Sequence, residues 1–298
     1  MKLSHESKVR LGVGIGAFVL IVGLVFGASR TLIHFDGPWD LDDVVSGLSG
    51  RDDAVDADVL NDGGKYSAQP QQLSSATFDA DEFRYLDFDI AAATVDVKVV
   101  DGNKVRVIER GRVAKGVDAS KAATQNIASV KDSALKISQF RSDDGKAIDR
   151  TVTVELPRRV AEHLKGVNAH VRSGDLQIAG IICDGFDLFL DSGDVKFAGG
   201  VTDALSAEVD SGDVTFDLNQ APANSMDVTV GSGDVEMTVP NSTGFTASLT
   251  LGSGDFESDF LPDGYDGEAV SNLEFENGDK SATYRFVVGS GDMSFNPE

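Results

Sequence analysis

Six aspartates in this 298-residue chain, Asp175, Asp194, Asp213, Asp234, Asp255 and Asp292, each follow the dipeptide Ser-Gly. A carboxylate repeated in one local setting has three chemical uses. It can hold cations together with its copies. It can work in pairs as general acid and base, as in glycoside cleavage. Or it can accept hydrogen bonds from the amides of a tight turn. The copies lie about 20 residues apart, whereas calcium-binding β-rolls repeat a Gly-Gly-x-Gly-x-Asp unit about every nine. The turn reading is therefore the stronger, with a weak cation or metal ledge as its alternative. No nucleophile–base pattern or phosphate loop accompanies the acids. His5, His34, His163 and His170 are scattered, and Cys183 is the only cysteine, so neither a His-based motif nor a Cys-based zinc site is available. No catalytic residue and no cofactor is expected.

The elements that carry these aspartates repeat as well. The motif serines are Ser173, Ser192, Ser211, Ser232, Ser253 and Ser290, with intervals of 19, 19, 21, 21 and 37 residues. A period near 20 is that of a solenoid turn. The last interval leaves room for a degenerate copy or an inserted hairpin, and Asn277-Gly278 between two alternating runs favours the hairpin. Two, four and six residues before each serine the chain is apolar, as at Val209, Ala207 and Leu205. Three residues past it the chain is apolar again, at Leu176, Val195, Val214, Val235, Phe256 and Met293. Both runs alternate as strands with one buried face. They are out of phase, so a straight strand would turn one of them outward. Ser-Gly-Asp must be a corner that keeps both strands on one core. Glycine supplies the backbone angles, at Gly193, Gly212 and Gly233 with φ > 0, and Ser and Asp bond the corner amides. Stacked in register, the aspartates form a column in chain order, with Asp292 near its end.

Upstream, residues 83–100 read as an earlier copy with Ala-Ala-Thr at its corner, and residues 104–113, 134–140 and 150–156 as further strands. Residues 118–130 suit a short helix over an end of the core, capped by Asp118 or Ser120. Pro157 ends its strand.

The net charge is −23, with 26 basic against 49 acidic residues, which argues against nucleic acid. Leu11–Ala28 is an uncharged run of 18 residues preceded by Lys2, Lys8 and Arg10. It reads as a membrane-spanning helix with a cytoplasmic tail at 1–10 and the remainder outside. A cleaved signal peptide is the alternative, but the small-x-small site is poor. Residues 29–75 read as an acidic linker, with a short helix around Leu41–Leu48, and 76–298 as the folded domain.

The "TVTVELP" run at 151–157, the repeated Val-x-Ser-Gly-Asp-Val-x-Phe units and the final "VVGSGDMSF" resemble the bacterial "putative adhesin" family of β-strand-repeat domains of unknown function. The resemblance covers roughly residues 80 to 298. It implies a cell-envelope setting and no catalytic residues. The expectation is an all-β, single-chain β-solenoid behind one transmembrane helix, noncatalytic, with a structural, adhesion or envelope-sensing role. Alternatives are a cation- or calcium-binding surface module and, less favoured, a carbohydrate-active β-helix enzyme. Expected partners are the membrane, through the N-terminal helix, and an envelope protein, a cationic peptide or a glycan.

Overall fold

A computed structural model describes residues 64–139, 145–261 and 273–298. The span read at Leu11–Ala28 and the helix read around Leu41–Leu48 lie outside the described residues. Among the described residues no helix is long and apolar enough to cross a membrane. The described chain is all-β with two one-turn helices, Ala119–Ala122 (α1) and Arg158–Ala161 (α2).

The strands sort into two ladders according to which side of a corner they lie on. The strands that precede corners form the first ladder. In spatial order they are Ala134–Gln139 (β6), Tyr85–Ile90 (β2), Leu164–Val171 (β8), the second halves of Asp175–Leu190 (β9) and Asp194–Val209 (β10), Ser225–Val230 (β12), Ala282–Val288 (β17) and Phe245–Leu251 (β14), all parallel. Ala128–Lys131 (β5) and Leu273–Asn277 (β16) pair antiparallel at its two ends. The strands that follow corners form the second ladder. Its parallel members are Ala147–Pro157 (β7), Thr94–Val100 (β3), the first halves of β9 and β10, Asp213–Gln220 (β11), Asp234–Val239 (β13), Met293–Pro297 (β18) and Phe256–Glu257 (β15). Lys104–Val113 (β4) and Gln71–Asp79 (β1) continue it antiparallel beyond β7. β1 starts five residues before the domain boundary read at 76.

Both ladders face one core. Leu190 and Val195, either side of one corner, are each fully buried, as are Val171 and Leu176 at the corner before. Aromatic rings join the ladders: Phe186 of the first lies 4.7 Å from Phe197 and 5.6 Å from Phe216 of the second. Farther along, Phe286 and Phe295 meet across the same core at 5.0 Å. The odd five-residue step across Ser-Gly-Asp therefore produces a bend.

Several expectations need correction. β16 and β17 do not pair with each other as a hairpin; they flank β14 on opposite sides, antiparallel and parallel. The Asn277-Gly278 turn carries the chain over the end of β14 instead. As a result the last repeat is inserted: β17 lies between β12 and β14, and β18 between β13 and β15. The helix is also shorter than the 118–130 run, because Ala128 onward pairs as β5. Asp118 does cap it, accepting from the Ser120 amide at 2.9 Å. Ala122 of α1 sits on a satellite cluster with Leu73, Val113 and Ala147, while Ile127 joins the main core. Glu109, fully buried beneath it, accepts from Arg150 Nη1 at 2.7 Å, Thr124 Oγ1 at 2.6 Å and the Thr124 amide at 2.8 Å.

Gly193 and Gly212 have φ of 104° and 102°, and a Cβ at Gly212 would collide with the Gly193 carbonyl oxygen. Gly233 is not in the left-handed region, contrary to expectation; it is fixed by the approach of the Gly212 carbonyl alone. Gly212→Val combines backbone strain with a collision against main chain, so it should cost about 3 kcal/mol or more. Thr215→Val, on the outer face of β11, should stay within about 0.5 kcal/mol of wild type. Denaturant melts of the two variants check this, and equal losses would contradict the corner.

Candidate functional site

The corners stack through main-chain hydrogen bonds. The Ser192 amide donates to the Arg172 carbonyl at 3.0 Å, Ser211 to Asp191 at 3.2 Å and Ser232 to Asp210 at 3.0 Å. Ser290 then donates to Gly231, and Ser253 to Gly289, each at 2.8 Å. The serine hydroxyls differ from expectation. They donate to carbonyls of the preceding repeat, Ser192 to Arg172 at 3.0 Å and Ser211 to Asp191 at 3.1 Å, and so lock one corner onto the last.

This stacking brings all six aspartates into one column, in the order Asp175, Asp194, Asp213, Asp234, Asp292, Asp255. Asp292 therefore lies near the end of the column, one place in, between Asp234 and Asp255. The carboxylates fall into two groups. Asp175 accepts from the Asp194 amide at 3.3 Å, Asp234 from the Asp292 amide at 3.2 Å, and Asp292 from the Asp255 amide at 3.0 Å. Those three serve the architecture. Among the described residues the carboxylates of Asp194 and Asp213 accept no such bond, and both side chains are exposed. In-register neighbours in a ladder are about 4.8 Å apart. At that distance two unit charges in water repel by about 1 kcal/mol. The column is tolerable, but it retains a standing attraction for cations.

Five of the six border a groove of about 560 Å³ on the outer face of the second ladder. Glu236 and Glu257 add to it, and Lys196 is the single cation among its lining residues. No three acidic, histidine or cysteine side chains among the described residues are arranged to hold a metal ion. A cation here would be held by field and by pairwise contacts. The sequence explains the strength of that field: residues 173–298 carry 24 of the 49 acids and 3 of the 26 bases, whereas residues 64–172 carry 15 acids and 18 bases.

The sequence profile of the DUF4097 Toastrack domain matches residues 84–296. The chain belongs to this family. Solved structures share the likeness at low identity. A "putative cell adhesion protein" from Clostridium sporogenes is 12% identical, covering 77% of this chain and 100% of its own, with a TM-score of 0.45. A "putative adhesin" from Bacteroides fragilis is 15% identical, covering 77% and 98%, with a TM-score of 0.38. A "putative lipid binding protein" from Parabacteroides distasonis is 12% identical, covering 76% and 98%, with a TM-score of 0.29. None of the three is named as an enzyme. No curated protein is detectably similar in sequence.

A second acidic cluster of the Toastrack domain lies around Glu208 on the outer face of the first ladder. Glu208 stands there between Phe189 and Thr229. Desolvation, then the charges of Asp210, Asp187 and Asp191, push its carboxyl up to about 7 from an ordinary 4.5. Its signal in the sequence is only an acid amid alternating residues, with no motif to mark it. Because the folded value lies above the unfolded one, the folded state binds the extra proton between the two. Stability from this group is greatest below pH 4.5 and is lost as pH rises through about 7. Glu208→Gln should raise the melting temperature at pH 8, and the gain should shrink at pH 5. Thermal melts of both proteins at the two pH values check this; a gain of the same size at both would contradict it.

Proposed function

We propose that this Toastrack protein is a noncatalytic surface module, displayed outside the cell membrane by its N-terminal apolar segment, whose acidic groove engages a cationic polymer such as a basic peptide. In this reading the repeats wind as a β-solenoid, and parallel pairing of the repeats in both ladders supports it. Each turn of the solenoid adds one aspartate to the same edge. Leu11–Ala28 would serve as the anchor, with residues 29–63 as an acidic spacer.

The observation that carries the reading is the groove itself: five aspartates, two glutamates and one lysine around about 560 Å³. A polymer of regularly spaced cations matches a column with a fixed repeat better than a small ligand does. Field focusing in an acidic concavity favours rapid encounter and makes binding salt-sensitive. A calcium ion is the competing occupant. It takes six to eight oxygens, and the absence of a convergent acidic trio among the described residues favours the polymer.

Asp194→Asn with Asp213→Asn removes two carboxylates that bond no corner amide, so the double variant should fold normally. The full chain in a neutral detergent should gain melting temperature on adding polylysine, beyond sodium chloride of equal ionic strength. The double variant should lose most of that gain. A gain with calcium alone would favour the ion, and no gain with either would leave the motif as architecture.

A further inference from the structure

A second concavity of the Toastrack domain has the opposite charge. A groove of about 490 Å³ opens where the chain before β2 meets α2 and the start of β8. Arg84, Arg159, His163 and Lys165 line it, with Phe83 as an apolar floor and Asp81 as the one acid among its lining residues. The main chain builds this cluster. The Lys165 amide donates to the Arg84 carbonyl at 2.8 Å, which joins the residue before β2 to the start of β8 and sets the two cations side by side. Like charges placed side by side on a sheet oppose its formation. Part of the charge is answered from within. Arg159 pairs with Asp81 at 2.7 Å, and Lys165 with Asp184 at 3.0 Å. Arg159, first by its hydrogen bond and then by its charge, holds the Asp81 carboxyl below the usual carboxylate range, and Arg84 adds to this. Arg84 itself donates to the Phe83 carbonyl at 3.1 Å. Among the described residues neither Arg84 nor His163 forms an ion pair, although Arg84 acts on Asp81 through its charge.

We propose that this groove binds a phosphate group, as free phosphate or as the headgroup of a phospholipid. Two guanidinium groups, an imidazole and an ammonium line the groove from α2, the turn after it, the residue before β2 and the start of β8. A tetrahedral phosphate offers oxygens to several such directions at once, and guanidinium forks match it. The chain as a whole, at −23, repels anions. A concave cluster with a cation surplus is thus the place where an anion can approach, and it is independent of the acidic groove.

The test is calorimetric titration of the full chain in dodecyl maltoside. Inorganic phosphate is one arm, and dihexanoyl phosphatidylglycerol is the other. Sodium chloride of equal ionic strength is the blank. Wild type should bind one or both, and Arg84→Gln should bind about tenfold more weakly, as expected for one lost charge-assisted hydrogen bond. Lys131→Gln, an exposed change on β5, should bind as wild type does. Binding of the lipid alone assigns the headgroup as the source, and binding of both assigns the phosphate group itself. Heat no greater than the chloride blank in both arms overturns the proposal, as does undiminished binding by Arg84→Gln.

Discussion

The contact on which this structure depends is main chain against main chain at the stacked corners. At each corner glycine, from Gly193 through Gly212, Gly233, Gly291 and Gly254, a Cβ would collide with the carbonyl oxygen of the corner before it. Only glycine permits repeats to close to that distance. That closeness allows the serine amides to reach the preceding carbonyls, and it sets the register of both ladders. Register in turn decides which side chains enter the core, because a one-residue slip would invert every strand. The same stacking leaves the following residue, aspartate, in a column at the groove. The acidic surface and the structural constraint are consecutive letters of one motif.

That coupling explains why the acids are tolerated. Three of the six carboxylates are each used by an amide of the next corner, which offsets part of their mutual repulsion. The remainder stay in solvent, where the repulsion is small. The outer face of the first ladder follows the same logic less completely: Glu208, partly desolvated and beside the charges of Asp210, Asp187 and Asp191, meets the cost by holding its proton to about pH 7. Charge is polarised along the ladders, from a groove rich in arginine near β2 and β8 to the acidic groove beyond β10.

Much of this was legible in the sequence because period-2 burial and period-20 repetition are local signals. Val209 and Val214 are both apolar across an odd interval, and that alone demands a corner. The order of the last repeat was not legible. Ser253 and Ser290 look consecutive, yet β17 enters between β12 and β14, and nothing in the residues of β17 distinguishes an inserted strand from an appended one. The buried Glu109 was equally hidden. It stands in phase with the buried Val105 and Val107, but its partners Thr124 and Arg150 come from outside its strand, and nothing local announces them. The arginine groove was missed because Arg84 and Lys165 meet only through the pairing of β2 with β8, across 81 residues of sequence.

The central claim is that the corners stack in the order that places Asp292 between Asp234 and Asp255. Disulfide trapping tests it directly, since adjacent corners in a parallel ladder are about 4.8 Å apart and alternate ones about twice that, beyond disulfide reach. Cys183 is buried and should not interfere. Three paired variants of the full chain would be oxidised: Ser232→Cys with Ser290→Cys, Ser253→Cys with Ser290→Cys, and Ser232→Cys with Ser253→Cys. The account predicts intramolecular disulfides in the first two and none in the third. Ready cross-linking of the third, with failure of the first, would show that the repeats stack in chain order and would contradict the structure described here.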